Sequence, residues 1–225
     1  MFHVKQTVRD DLENALRPLG ADLEPDCLDA CLRFWKQLAQ TADRLNLVSR
    51  ADLQQGPVRH IADALAALPL LEDTTGRHLL DIGSGGGLPG IPLALARHEL
   101  AVVLLESRER KTDWLMRTVR ELDLTDRVTV RQGRLEQQPA EWVAGFDYLT
   151  ARAVAPPDQL LRLALPGMGS EARMLIWHST RQQPSIQALL ESPVAGRMFG
   201  VENTLLYEFA SIDHISCIST VIESD

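Results

Sequence analysis

The chain has 225 residues, 45% of them hydrophobic and 24% charged, which is the composition of a globular protein with room for one α/β domain and an appendage; disordered, fibrous and low-complexity classes are excluded. The longest apolar runs, such as Leu100 to Leu105, are far shorter than the roughly 18 residues of a membrane span, and Met1 to Asp11 has no apolar stretch of the signal-peptide kind, so a cytoplasmic chain with no membrane partner is expected. The formal charge is −8, which on average speaks against a nucleic-acid partner, but 20 of the 23 basic residues are Arg, and Arg97 to Arg181 holds 13 basic residues against 12 acidic ones.

The first 70 or so residues carry helical periodicity. Val8, Leu12, Leu16 and Leu19 recur at helical spacing, and Gly20 offers a stop. A second helix places Leu28, Cys31, Leu32, Trp35 and Leu38 on one face. A third, behind Pro57, aligns Val58, Ile61, Leu65 and Leu68. Cys27, Cys31 and Cys217 form no Cys-x-x-Cys pair, and the first two read as buried helix cysteines; no metal site is expected. A boundary at Leu71 to Gly76 divides a helical domain, residues 1–72, from a second domain, residues 73–225.

From Arg77 the pattern changes to short apolar runs separated by helical segments: His78 to Ile82, Ala101 to Leu105, Arg127 to Arg131, Phe146 to Ala151 and Met174 to Trp177. Strands alternating with helices predict an α/β fold with a doubly wound, mostly parallel sheet. Thr204 to Phe209 and His214 to Ile222 read as a terminal antiparallel hairpin closed by Ser211-Ile212-Asp213.

Leu79-Leu80-Asp81-Ile82-Gly83-Ser84-Gly85-Gly86-Gly87-Leu88-Pro89-Gly90 is an apolar strand running into a glycine-rich turn and then a helix. Such a turn at the carboxyl end of a strand is where doubly wound sheets bind cofactors. A phosphate-binding P-loop is excluded because the turn has no Gly-Lys-Ser/Thr. Gly85, Gly87 and Gly90 do fit the dinucleotide spacing, so a nicotinamide cofactor stays open on spacing alone. Asp81-x-Gly83-x-Gly85-x-Gly87, however, resembles the cofactor motif of the class I S-adenosylmethionine-dependent methyltransferases. The chemistry is suitable: an acid can hold the cofactor's ammonium, and backbone N–H groups its carboxylate. Glu106, ending the next strand, stands where an acid can accept both hydroxyls of a ribose.

With its neighbours the turn resembles one family closely, the bacterial small-subunit rRNA (guanine-N7)-methyltransferases, also called glucose-inhibited division protein B or RsmG. The resemblance rests on Gly87-Leu88-Pro89-Gly90-Ile91-Pro92, Asn46-Leu47-Val48-Ser49, Arg59-His60-Ile61-Ala62-Asp63, Arg134-Leu135-Glu136 and Arg152-Ala153-Val154-Ala155. It implies that Gly83 and Leu88 line S-adenosylmethionine, that Leu135 and Glu136 flank its adenine, and that Arg152 sits in the mouth of the active site. It also implies a partner, 16S rRNA or the small ribosomal subunit, and a Rossmann-like fold. The chain departs from the family pattern at Trp177-His178-Ser179, where a Lys-Gly is expected, and at Asp63-Ala64 in place of Asp-Ser.

Attack by guanine N7 on a methyl group requires no prior proton removal, because N7 carries no proton. No general base is therefore assigned, and proximity and orientation carry the rate. Arg152 is the candidate for positioning guanine O6 or a phosphate. Arg108, Arg110 and Lys111 form a local basic cluster suited to RNA phosphates or to a solvated helix face. His60 and Asn46 are expected near the cleft, with an interdomain hydrogen bond as plausible a role as chemistry. A monomer is favoured. The alternatives are a methyltransferase for a small molecule or protein, and an inactive cofactor-binding module.

Overall fold

A computed structural model describes residues 2–17, 23, 25–71, 78–179, 194–201 and 204–211. Three helices lead: α1 (Phe2–Leu16), α2 (Pro25–Leu45) and α3 (Arg50–Leu65). Leu12, Leu16, Leu28, Cys31, Trp35, Leu38, Ile61 and Leu65 are all buried, as the helical spacing predicts. α3 begins earlier than Pro57, with Ser49 capping it by accepting from the Asp52 N–H, and it breaks at Gly56 (φ 77°, ψ −178°). Pro57 then restarts it, because the ring fixes φ and removes a donor that a first turn does not use. Leu68 falls in a separate 3₁₀ turn, Leu68–Leu71. Leu19, Gly20, Cys217 and most of the segment Leu71 to Gly76 lie outside the described residues.

The rest alternates as predicted: β1 (His78–Ile82), α4 (Gly90–Ala96), β2 (Ala101–Glu106), α5 (Glu109–Glu121), β3 (Val128–Gln132), α6 (Ala140–Val143), β4 (Tyr148–Arg152), α7 (Pro157–Ala164) and β5 (Arg173–Ser179). The terminal hairpin is antiparallel, but its strands are β6 (Val194–Val201) and β7 (Thr204–Ser211). Thr204 to Phe209 is thus a strand as expected, paired with the strand that precedes it in the chain, and His214 to Ile222 lies outside the described residues. The sequence reading passed over β6 for a physical reason: Gly196 and Gly200 dilute its apolar alternation.

The sheet order is β3-β2-β1-β4-β5-β7-β6, with β1 to β5 mutually parallel and β7 antiparallel to both neighbours. One hydrophobic cluster joins α1, α2 and α3 to α4, α5 and one sheet face; the opposite face packs on α6 and α7. The order reverses between β1 and β4. At such a switch point the flanking helices diverge to opposite faces and leave a crevice above the strand ends.

Candidate active site

A cavity of about 610 Å³ opens at the carboxyl ends of β1, β2 and β4, above that reversal. Gly83, Gly85, Leu88, Glu106 and Arg152 line it, together with His60 and Asn46 from the helical layer. A second chamber of about 290 Å³ is walled by Leu135 and Glu136 and shares Gly83, Ser107 and Val154 with the first. Seven of the nine residues singled out from sequence therefore face two adjoining chambers. Asp81 and Gly87 do not; Asp81 is buried beneath the turn, and Gly87, within the turn, packs toward Ile91 and Leu115.

The turn is tied down from β2. Gly83 and Ser84 donate their N–H groups to the Leu105 carbonyl (2.8 and 3.1 Å), Gly87 donates to Ser84 (2.6 Å), and the Gly85 N–H donates to Glu106 Oε2 (2.9 Å). Most of its amides are thus already used within the protein. This narrows the expectation that a row of free N–H groups awaits a carboxylate. Gly83, Gly85 and Gly87 have φ of 67°, 52° and 80°, the left-handed region that glycine enters without a Cβ clash. At Gly85 a Cβ would have no atom nearer than the Gly83 carbonyl at 3.6 Å and Lys111 Nζ at 3.9 Å, so its vacant side faces the cavity.

Asp81 is fully buried. Register places it beside Thr150 of β4, whose hydroxyl donates to Oδ1 (2.8 Å), and Oδ2 abuts Gly90, where a Cβ would come within 2.8 Å. Burial pushes its pKa up to about 6, against the stabilising hydrogen bond from Thr150. Glu106 is better placed for a ligand. Its carboxylate is almost buried yet lines the cavity, and the N–H groups of Gly85 and Arg108 (2.9 and 2.8 Å) hold it in one orientation. Lys111, also in the wall, has its pKa lowered by burial, with Glu106 acting in the opposite sense.

Arg152 ends β4, and its guanidinium is held mainly from α3. Nη2 donates to His60 Nδ1 (2.9 Å) and to Asp63 Oδ2 (3.4 Å), and Nη1 to the His60 carbonyl (3.4 Å). Its neighbour in register is Trp177 of β5, whose Nε1–H donates to the Asp63 carbonyl (2.6 Å). No local pattern signals that Trp177 meets Asp63, 114 positions away in the chain. His178 takes the register position opposite Leu205 of β7. Ala153, next to Arg152, has φ 54°, a conformation uncommon for a residue with a side chain, and Val154 then turns over Gly83 between the two chambers. The sequence marked Val154 only as part of the Arg152-Ala153-Val154-Ala155 motif and assigned it no place in the site; the residue is 43% exposed.

A sheet of this order, with a glycine turn and an acid at the next strand end facing one crevice, defines a class I methyltransferase. Solved structures agree on the fold: a methyltransferase from Geobacter sulfurreducens (TM-score 0.56, 17% identity, 80% of this chain and 88% of that one) and mitomycin 7-O-methyltransferase (TM-score 0.57, 17% identity, 80% and 68%). The family model for rRNA small subunit methyltransferase G matches residues 28–199. Relatives named ribosomal RNA small subunit methyltransferase G include those of Sorangium cellulosum (35% identity, 76% of this chain and 72% of that one) and Thermotoga maritima (31% identity, 93% and 84%). The chain belongs to the rRNA small subunit methyltransferase G family. Family and fold together imply S-adenosylmethionine as the cofactor.

Proposed function

We propose that this protein transfers a methyl group from S-adenosylmethionine to N7 of a guanine in 16S rRNA, its partner being that RNA or the small ribosomal subunit. The observation that carries the reading is the pair of adjoining chambers over the β1–β4 reversal, in a chain of this family. The residues fit the cofactor. Glu106, fixed by two backbone amides, is oriented to accept ribose hydroxyls; Leu135 and Glu136 flank the adenine; Gly83, Gly85 and Leu88 line the remainder. Asp81 and Gly87 act from behind the wall, Gly87 by allowing the turn and Asp81 by placing a buried negative charge beneath it. Bound there, S-adenosylmethionine supplies a methyl group on a positively charged sulfur.

The protein's own part is to bind, orient and exclude water. N7 of guanine has a free lone pair, so no residue has to remove a proton, and holding the reactants in line can lower the barrier by roughly 7 to 11 kcal/mol. Arg152 keeps Nε–H and one Nη1–H for guanine O6 or a phosphate, its other three N–H groups being engaged by His60 and Asp63. Beside the cavity, Arg44, Arg108, Arg110 and Lys111 surround a pocket of about 270 Å³ containing one acid, Glu109, a place for the RNA backbone. In this reading residues 1–72 form a helical domain that supplies one wall of the cleft and residues 73–225 the methyltransferase domain, a monomer working in the cytoplasm. Among the described residues no helix is long and apolar enough to cross a membrane.

The test is transfer of radiolabelled methyl to 30S subunits from a strain lacking the gene, followed by nuclease digestion. Labelled 7-methylguanine in 16S rRNA is the expected outcome. Binding of cofactor with unlabelled RNA would reassign the substrate to a small molecule or protein, or leave the chain a binding module.

A further inference from the structure

His60 is buried at the junction of the helical layer and the carboxyl end of β4, and both ring nitrogens are engaged. The ring stacks on Trp35 of α2, with centroids 5.2 Å apart and planes 11° from parallel. Nδ1 lies 2.9 Å from Arg152 Nη2, and Nε2 lies 2.8 Å from the Asp52 carbonyl oxygen. A guanidinium nitrogen only donates, and a carbonyl oxygen only accepts. The two contacts therefore select one form of the ring: neutral, with the proton on Nε2 given to Asp52 and the Nδ1 lone pair accepting from Arg152.

We propose that His60 is a positioning residue for methyl transfer, the neutral acceptor that aims the Arg152 guanidinium into the cavity. The inference rests on the reading that Arg152 orients the guanine or a phosphate. Asp63 does not do this alone, because its carboxylate is shared with Arg59 (3.7 Å) and its contact to Arg152 is the longer one at 3.4 Å. An imidazole acceptor on a ring clamped by Trp35 and Asp52 has one direction, whereas a carboxylate accepts over a wide arc. The groups facing the ring are Arg152 from β4, Asp52 and Asp63 from α3, and the uncharged Trp35 from α2. Burial and the Arg152 cation push the His60 pKa down, against the Asp52 carbonyl and the two carboxylates, so the acceptor form is the one held at neutral pH.

Two substitutions separate aiming from packing. His60→Phe keeps a ring to stack on Trp35 and loses the acceptor; His60→Asn keeps an oxygen near the Nδ1 position and loses the ring. Transfer of methyl to 30S subunits should fall about tenfold or more in His60→Phe and stay within about threefold in His60→Asn, with S-adenosylhomocysteine affinity little changed in both. A packing role would reverse the order of the two variants. A second readout needs no turnover: side-chain ¹⁵N resonances of Arg152 should be resolved in the wild type and His60→Asn, and averaged by rotation in His60→Phe. Resonances identical in wild type and His60→Phe overturn the proposal, as does wild-type transfer by that variant. If the wild type labels no RNA, the reading of the function falls, and the resonances still decide whether His60 aims Arg152. Wild-type transfer by Arg152→Ala removes Arg152 from the site; a defect in Arg152→Ala with none in His60→Phe removes His60 alone.

Discussion

Asp81 shows how a residue can shape a site without touching it. Its pKa of about 6, against an ordinary 3.8, means that the folded protein holds the proton more tightly than the unfolded chain. Stability from this group is therefore full below pH 3.8 and is lost as pH rises to about 6, by about 3 kcal/mol. Urea unfolding of wild type and Asp81→Asn across that window should show the variant gaining on the wild type by about that amount; a constant difference would mean that the buried carboxyl does not titrate there. Ligand binding reads the same charge. Affinity for S-adenosylhomocysteine, which keeps the ammonium, should rise through pH 6 in the wild type and lose this rise in Asp81→Asn. Legibility at this scale was uneven. The acid and the glycines are visible because chemistry and φ restrict which residues serve, whereas the Arg152–His60–Asp63 contacts join residues about 90 positions apart, and no local pattern encodes them.

The turn between β1 and α4 works as one element, and two of its glycines are needed for different reasons. A Cβ at Gly90 would sit 2.5 Å from Leu104 Cδ2 and 2.8 Å from Asp81 Oδ2, because α4 packs directly on the sheet there. Gly90→Ala should therefore destabilise the fold by about 1 to 3 kcal/mol and leave the cofactor affinity of the folded fraction close to wild type. Gly85 has φ 52° and open space on the cavity side. Gly85→Val should cost about 1 to 2 kcal/mol in backbone strain and abolish S-adenosylhomocysteine binding, as read by calorimetry on the folded variant. Retained binding in Gly85→Val would place the cofactor elsewhere. Strand positions of β1, β2, β4 and β5 were legible because parallel strands buried on both faces read as nearly continuous apolar runs, and that of the edge strand β3 because Val128 and Val130 alternate with polar residues. β6 was not, since Gly196 and Gly200 break the apolar alternation of its sequence.

At the scale of the whole molecule, the helical layer and the sheet share one hydrophobic cluster running from Leu12 to Trp177, so the proposed domains, residues 1–72 and 73–225, are expected to unfold together. Urea unfolding followed by tryptophan fluorescence and by far-UV circular dichroism should give coincident transitions. Separate transitions would mean that α1 to α3 fold apart. The same layer brings Arg44 at the end of α2 next to Arg108, Arg110 and Lys111 at the start of α5, a local cluster of cations on a chain whose net charge is −8. Sequence placed three of those four cations side by side but had no means of adding Arg44. If this pocket takes RNA phosphate, replacing Arg44, Arg108 and Arg110 together by Gln should raise KM for 30S subunits and flatten its salt dependence, each lost phosphate contact reducing the slope of log K against log salt by roughly 0.7 to 0.9. S-adenosylhomocysteine affinity should stay near wild type, since Glu106, Leu135 and Glu136 are untouched. An unchanged salt slope would make the cluster a solvated helix face and move the RNA track to another side of the cavity.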